Sequence, residues 1–169
     1  MAAPMFSVNS HRYDPYRTFK FQILIDGKPV AGLRKMTALK KKTEEVVWRV
    51  AGDPSHDRKL PGGTSYDPVT LEQGLTHDPV FEQWANLVNN IDGDSGMSLK
   101  NFRKDIVINV LNLQGQVAIS YKLFRAWVSE YQALPDFDAG NKNTIGIQTV
   151  ALQHEGWQRD ESVAEPAES

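Results

Sequence analysis

An apolar side chain at every second position dominates the middle of this sequence. The pattern begins in 19–25, continues in 46–50 and 69–71, and returns twice within 106–123. A two-residue period places apolar side chains on one face of a β-strand, because successive side chains point to opposite faces. The chain is therefore predicted to be mainly β.

Turn residues separate these segments. Asp26-Gly27 follows the first of them and Gly115 interrupts the last, which predicts two tight hairpins. Pro68 cannot donate a ladder hydrogen bond, so the next strand is predicted to begin after it. Residues 60–64 contain a proline and two glycines with no following lysine, and they are predicted to be a long flexible loop that binds no phosphate. At the usual spacing of about 8–12 residues, about six to eight strands are expected, the last within 144–153.

The apolar period changes phase at two places. After Leu123 the apolar residues become Phe124, Ala126 and Val128, and a similar change follows Ile147. A shift by one residue exchanges the faces of a strand, unless a bulge absorbs it or both faces are buried. The first alternative predicts a bent sheet, and the second predicts an outer face covered by a partner.

Residues 79–91 follow a helical period instead. Apolar residues recur there at three- and four-residue spacings, namely Val80, Phe81, Trp84, Leu87, Val88 and Ile91. Asp78 suits the N-cap, Pro79 the first helical position, and Asp92-Gly93 a stop. One helix among many strands favours a small β-barrel, or two packed antiparallel sheets, with the helix on its flank.

Length and local composition divide the chain into three parts. At roughly 150 residues per domain, 169 residues suggest one domain. We predict an N-terminal arm at 1–15, a barrel domain at 16–158 and a C-terminal tail at 159–169. The tail is small and acidic, and it is predicted to be mobile. No segment has the pattern of a signal sequence or a membrane span, which predicts synthesis and assembly in the cytoplasm and no membrane anchor.

Composition removes several kinds of chemistry. The chain contains no cysteine, which excludes disulfides, thiol catalysis and cysteine-ligated metals. It has no nucleophile elbow and no Walker A loop. His154 and Glu155 form a weak acid–base pair without a nucleophile. We expect no catalytic residue, no metal site and no cofactor.

One charged segment is a candidate contact surface between subunits. Its basic residues are followed at once by two acidic ones, and together they are Arg34, Lys35, Lys40, Lys41, Lys42, Glu44 and Glu45. Because 32–45 is poor in apolar residues, we predict a projecting loop or hairpin whose opposite charge blocks fix its register against another copy. His154, Glu155 and Trp157 are weaker candidates, with Trp157 suited to an anchor between subunits.

Several stretches of sequence occur in an order that is typical of one family. They are Asp-Pro-Tyr-Arg-Thr-Phe-Lys-Phe at 14–21, Arg-Lys-Leu-Pro-Gly at 58–62, Val-Thr-Leu-Glu-Gln-Gly at 69–74, Ile-Gln-Thr-Val at 147–150 and His-Glu-Gly-Trp at 154–157. In this order the chain resembles the inner tube proteins of contractile phage tails and of phage-tail-like contractile injection systems.

The resemblance implies a two-sheet barrel with a flanking helix and no enzymatic activity or cofactor. It implies hexameric rings of this chain, stacked into a rigid tube whose channel passes protein cargo or DNA. It further implies sheath, baseplate and tail-terminator partners, and a sheath that drives the tube through a target envelope.

Two other functions remain compatible with the residues. A soluble small-ligand-binding β-barrel would need an enclosed apolar cavity. A nucleic-acid-binding module would use the basic run from Arg34 to Lys42, although a formal net charge of −2 disfavours it.

Overall fold

Ten β-strands and one α-helix form the regular structure of residues 5–52 and 54–169, which the computed structural model describes. In chain order they are β1 (Phe21–Ile25), β2 (Lys28–Pro29), β3 (Leu33–Met36), β4 (Lys41–Trp48), β5 (Arg58–Tyr66), β6 (Val69–Gly74), α1 (Val80–Val88), β7 (Lys104–Leu111), β8 (Val117–Gln132), β9 (Ile147–Gln153) and β10 (Trp157–Arg159). A 3-10 helix, Asp94–Gly96, follows α1. The mainly β prediction is confirmed, and the strand number exceeds the expected one because β2 and β10 contain only two and three residues.

Apart from β4 and β5, the strands form two antiparallel layers that share one long strand. The order is β2-β1-β7-β8-β9-β6-β3, and β10 pairs with β8 beside this path. β8 has 16 residues. It pairs with β7 along its first part and with β9 along its second, so it passes from one layer into the other. The predicted arrangement of two packed sheets with one flanking helix is confirmed.

The core lies between the two layers and α1. Ile23, Leu123 and Leu152 have 0% exposed surface, and the helix contributes Phe81 and Trp84 at 1%. Burying side chains of this size stabilises a fold by about 1.5–3 kcal/mol each. Side chains therefore fill the inside of the barrel, whereas the ligand-binding alternative requires an enclosed cavity there.

A bulge at Arg125 explains the first change of apolar phase. Lys104 pairs with Ala126 but Ile106 pairs with Leu123, so β8 carries one extra residue opposite β7. Arg125 has a φ of 53°, a conformation uncommon outside glycine. Because the bulge absorbs one residue, Leu123 and Ala126 both face the core. Of the two alternatives left open by the sequence, the structure adopts the bulge.

The second expected change of phase, after Ile147, is wrong. β9 keeps a regular alternation, with the polar Gln148 buried in the place where an apolar residue was expected. The Gln148 amide donates to the side-chain oxygen of Gln73 and accepts from the Tyr131 hydroxyl at 2.9 Å. Gln73 in turn donates to the Ala31 carbonyl at 2.6 Å. A buried amide with its partners in place can sit in a core, so the apolar pattern alone misassigned this strand.

α1 is shorter than the helix predicted at 79–91. It begins one residue later and ends three residues earlier, and Asn89 is already extended. The Leu87 carbonyl accepts from the Ser98 N–H at 3.0 Å, so the following segment takes a bond that a longer helix would use. Asp78 still accepts from the N–H of Val80 at 3.2 Å. Among the described residues, no helix has the length and apolar character needed to cross a membrane.

The predicted turns are present at Gly27 and Gly115. Asp26 and Gly27 have φ values of 52° and 77°, as the tight turn between β1 and β2 requires. Gly115, with a φ of 83°, lies in the turn between β7 and β8. β6 begins at Val69, directly after Pro68, as expected for a strand that a proline cannot enter.

Candidate assembly surfaces

β4 and β5 form a hairpin that stands apart from the main sheet. Among the described residues the two strands pair only with each other. Every residue of β4 is exposed. The projecting segment predicted at 32–45 is therefore only partly right, because 33–36 belong to the main sheet as β3 and the hairpin extends over 41–66.

The predicted flexible loop at 60–64 is wrong, because these residues lie within β5. Pro61 is opposite Glu45, next to a bulge that follows Thr43. Proline is tolerated at bulges and in edge strands, where a missing N–H breaks no ladder bond. A proline and two glycines are thus compatible with a strand that has a partner on one side only.

One face of the hairpin carries an apolar stripe. Val46 lies directly opposite Leu60, and Trp48 is two residues further along the same face. These three side chains are 48%, 49% and 48% exposed, respectively. On the other face, Glu45 pairs with Lys59 at 3.2 Å. An isolated two-stranded hairpin is marginally stable in water, so an apolar stripe on one indicates a surface that a partner covers.

An aromatic cluster fixes the base of this hairpin to the barrel. The Tyr66 ring lies 5.8 Å from His154 and 6.2 Å from Trp157, and Tyr121 lies 5.7 Å from Trp157. The Lys41 ammonium stands 5.8 Å from the centre of the Trp157 ring. Three of the sequence-predicted site residues, Lys41, His154 and Trp157, are therefore neighbours. Their contacts are within this chain, and they set the direction in which the hairpin leaves the barrel.

His154 and Glu155 have separate structural partners. The His154 Nε2–H donates to the Asp67 carbonyl at 2.9 Å, beside the hairpin base. The Glu155 carboxylate pairs with Arg125 at 3.2 Å. Because the two side chains are held by different partners, the structure does not bring them together as an acid–base pair.

A groove is lined by the segment before β1, the first residue of β1, the residues of β3 and the segment after it, and two residues of β7. It has a volume of about 620 Å³. Its apolar lining comes from Phe21, Met36, Ile108, Val110 and Tyr16, and its basic lining comes from Arg17, Lys20, Arg34 and Lys35. The lining residues include no aspartate or glutamate. Burial raises the pKa of the Tyr16 hydroxyl, and the nearby Glu165 carboxylate raises it further.

The structure divides the predicted charged segment between these two surfaces. Arg34 and Lys35 lie on β3 beside the groove, whereas Lys41 and Lys42 begin the hairpin. Lys40 lies between them, and its carbonyl accepts from the Asp67 N–H at 3.3 Å. The apolar floor of the groove was missed by the sequence analysis, because it joins residues that are about 90 positions apart.

A substitution at Gly156 tests how tightly the base of the hairpin is packed. Its φ is 142°, and an added Cβ would lie 3.2 Å from the Tyr66 ring. We expect Gly156→Ala to lower the free energy of unfolding by about 1–3 kcal/mol, since such backbone conformations disfavour other residues by that amount. Urea denaturation measures the change. Gly63→Ala is the matched control, because a Cβ there meets nothing within 4 Å, and equal losses for both variants would contradict the packing argument.

Residues 17–158 match the profile of the family described as "T4-like virus tail tube protein gp19". The chain belongs to this family. The resemblance inferred from the ordered stretches is confirmed, and the match leaves 1–16 and 159–169 outside it. Membership in a family of structural tube proteins implies a role that is not enzymatic.

Solved structures agree with a tail tube fold. A chain in "Cryo-EM structure of the anti-feeding prophage cap (AFP tube terminating cap)" superposes with a TM-score of 0.72 at 22% identity, over 88% of this chain and 93% of that one. A chain in the "anti-feeding prophage (AFP) baseplate" gives 0.70 at 18%, over 88% and 97%. A chain in the "PVC sheath-tube complex in extended state" of an extracellular contractile injection system gives 0.70 at 19%, over 86% and 91%. At these identities the likeness establishes the fold. No curated protein matches the sequence of this tail tube protein significantly.

Proposed function

We propose that this tail tube protein assembles into hexameric rings that stack as the inner tube of a contractile tail or injection system. The observation that carries the proposal is that one chain holds both a projecting hairpin with a half-exposed apolar stripe and an apolar groove with a basic rim. When two different surfaces of one chain fit each other, copies join head to tail, and such contacts close into rings if the rotation closes.

The hairpin of one copy docks in the groove of the next. Val46, Trp48 and Leu60 supply apolar surface for the groove floor. Glu44, on the same face of β4 as Val46, supplies negative charge for a rim whose charged residues are all basic, whereas Glu45 faces the other side and pairs with Lys59. Complementary charges of this kind fix the register of a contact more than they strengthen it.

The remaining predicted site residues act at the hairpin base. Lys40, Lys41 and Lys42 contact the adjacent ring and fix its register. His154, Glu155 and Trp157 act by holding the base to the barrel, and so they set the angle at which the hairpin reaches its neighbour. The division into arm, barrel domain and tail at 1–15, 16–158 and 159–169 is part of the same proposal.

The partners of the tube follow from its place in such a particle. A sheath surrounds it, a baseplate starts it and a terminator ends it, and its channel passes protein cargo or DNA. The chain is made and assembled in the cytoplasm, and the particle acts at a target envelope. Support comes from the family match and from the fold shared with chains of a baseplate, a sheath-tube complex and a tube cap.

Untagged protein provides the direct test. Light scattering on a sizing column, with negative-stain microscopy of the same peak, is expected to give rings or hollow tubes of uniform width. A monomer at the highest attainable concentration would contradict the proposal.

Charge reversal at the hairpin base separates stacking from ring formation. We expect the triple variant with Lys40, Lys41 and Lys42 changed to Glu to form rings but short tubes or none, with an unchanged circular dichroism spectrum. The matched control changes Lys28, Lys100 and Lys142 to Glu, which are exposed lysines outside both surfaces. Tubes of normal length from the first variant would exclude these lysines from stacking.

A further inference from the structure

The C-terminal tail lies against the N-terminal arm, which its composition did not predict. The Glu165 carboxylate accepts four hydrogen bonds from three consecutive arm residues. The Val8 N–H donates at 2.9 Å, the Asn9 N–H at 3.0 Å, the Asn9 side-chain amide at 2.8 Å and the Ser7 hydroxyl at 3.3 Å. The backbone bond from Val8 is the main cause that lowers the pKa of Glu165, as expected for a carboxylate held in its charged form.

Asn9 is the centre of this contact. It is only 3% exposed, although it lies in a segment without regular structure. Besides its bond to Glu165, its side-chain amide donates to the Pro166 carbonyl at 2.8 Å, and its side-chain oxygen accepts from the Glu168 N–H at 2.9 Å. The nitrogen and the oxygen of this buried amide are both hydrogen-bonded to the tail, so neither polar group is buried without a partner.

A second carboxylate of the tail pairs with a cation that contacts two aromatic rings. Arg12 pairs with Glu168 at 2.6 Å, and their side chains are only 11% and 15% exposed. The Arg12 guanidinium lies 5.0 Å from the centre of the Phe6 ring and 4.5 Å from that of Tyr16. The two rings meet edge to face at 5.5 Å. Stacking on rings orients the guanidinium, so less freedom is lost when it binds a carboxylate.

The tail is also attached to the barrel on both sides of these contacts. The Asp160 N–H donates to the Ser120 carbonyl at 2.8 Å, where the tail leaves β10. At the far end, the Gln114 side-chain amide donates to the Ser169 carbonyl at 3.0 Å. Because the tail is attached to the barrel at both of its ends, it holds the arm residues 7–12 that it contacts in place.

We propose that residues 7–12 of the arm form a recognition site for an acidic peptide. Glu165 and Glu168 of the same chain fill this site, and the filled site holds Tyr16 in place as a wall of the groove. Tyr16 joins the two features, because its ring contacts Arg12 and also lines the groove. Glu165 and Glu168 are therefore positioning residues, since neither of them lines the groove itself. The consequence for assembly rests on the proposed function, whereas the recognition site does not.

Hydrogen exchange of the full-length chain, measured by mass spectrometry, tests the recognition site. In Glu165→Gln and in Glu168→Gln we expect exchange of peptides covering residues 5–17 to accelerate roughly tenfold, about the factor for loss of one bond to a charged group. Glu161→Gln is the matched control, because Glu161 is an exposed tail carboxylate that forms no hydrogen bond or ion pair with the described residues of the arm. Unchanged exchange in peptides of β6 and β9 shows that the barrel is intact.

Association of the same variants is measured separately by light scattering. We expect Glu165→Gln and Glu168→Gln to associate more weakly than Glu161→Gln. Equal arm exchange in all three would overturn the recognition site. Faster arm exchange with undiminished association would overturn the coupling through Tyr16. If the unaltered chain fails to associate, the proposed function and its coupling fail, and arm exchange still decides the recognition site.

Discussion

Changing Trp48 and Leu60 together to glutamate is expected to abolish association of this chain while leaving the barrel folded. Both side chains are about half exposed on the apolar face of the hairpin, at 48% and 49%. Full burial of such a side chain contributes about 1.5–3 kcal/mol, and about half of that is still to be gained at a half-exposed position, so losing both weakens the contact by about 10-fold to 100-fold. Two carboxylates in an apolar groove add a desolvation cost.

The measurement is light scattering over a concentration series, with circular dichroism to monitor the fold. Substitutions at exposed positions usually change stability by about 0.5 kcal/mol or less, so the spectrum and melting temperature should stay close to those of the unaltered chain. Val47→Glu is the matched control, because Val47 is 54% exposed on the opposite face of the same strand. If Val47→Glu disrupts association as strongly as the double variant, the face carrying Trp48 and Leu60 is not the docking face.

Trp84→Ala is expected to cause the largest loss of stability. Trp84 is 1% exposed and lies in the core between α1 and the sheets. Its indole N–H donates to the Phe102 carbonyl at 2.7 Å, which ties the segment after α1 to the helix. Truncating a buried tryptophan leaves a cavity and typically costs about 3–5 kcal/mol. The freed carbonyl of Phe102 adds to that cost.

Urea denaturation followed by circular dichroism measures this loss. Trp48→Ala is the matched control, because it makes the same chemical change at a half-exposed position and is expected to cost much less. Trp84→Phe should fall between the two, since it keeps most of the volume but lacks the donor to Phe102. Equal midpoints for Trp84→Ala and Trp48→Ala would show that α1 does not secure the core.

The sequence predicted elements whose signal is local. Alternation in 19–25 and 106–123 predicted strands, although the first begins at Phe21 rather than Phe19. Asp26-Gly27 and Gly115 predicted turns, because glycine and aspartate adopt a positive φ more readily than most residues. The helix was predicted from its apolar spacing, but its end was not, since Ser98 terminates it from outside the helix.

The errors occur where a local pattern has two tertiary interpretations. A polar residue in a strand is outward-facing unless another polar residue meets it inside, and only the fold brings Gln73 to Gln148. The apolar alternation of 46–50 resembles that of a half-buried strand, yet the hairpin exposes both of its faces. The apolar stripe was therefore missed as a site, although the charges near it predicted a projecting loop or hairpin at 32–45.

From the sequence alone, this chain is a mainly β protein of the tail tube family, since the period of two, the single amphipathic helix and the ordered stretches are all properties of residues near one another in the chain. Only the tertiary structure decided which surfaces the chain offers. The groove joins Tyr16 and Met36 to Val110, and the recognition site joins Asn9 to Glu165 across 156 positions. Contacts over such separations depend on how the sheets close, and no periodicity within a segment records that closure.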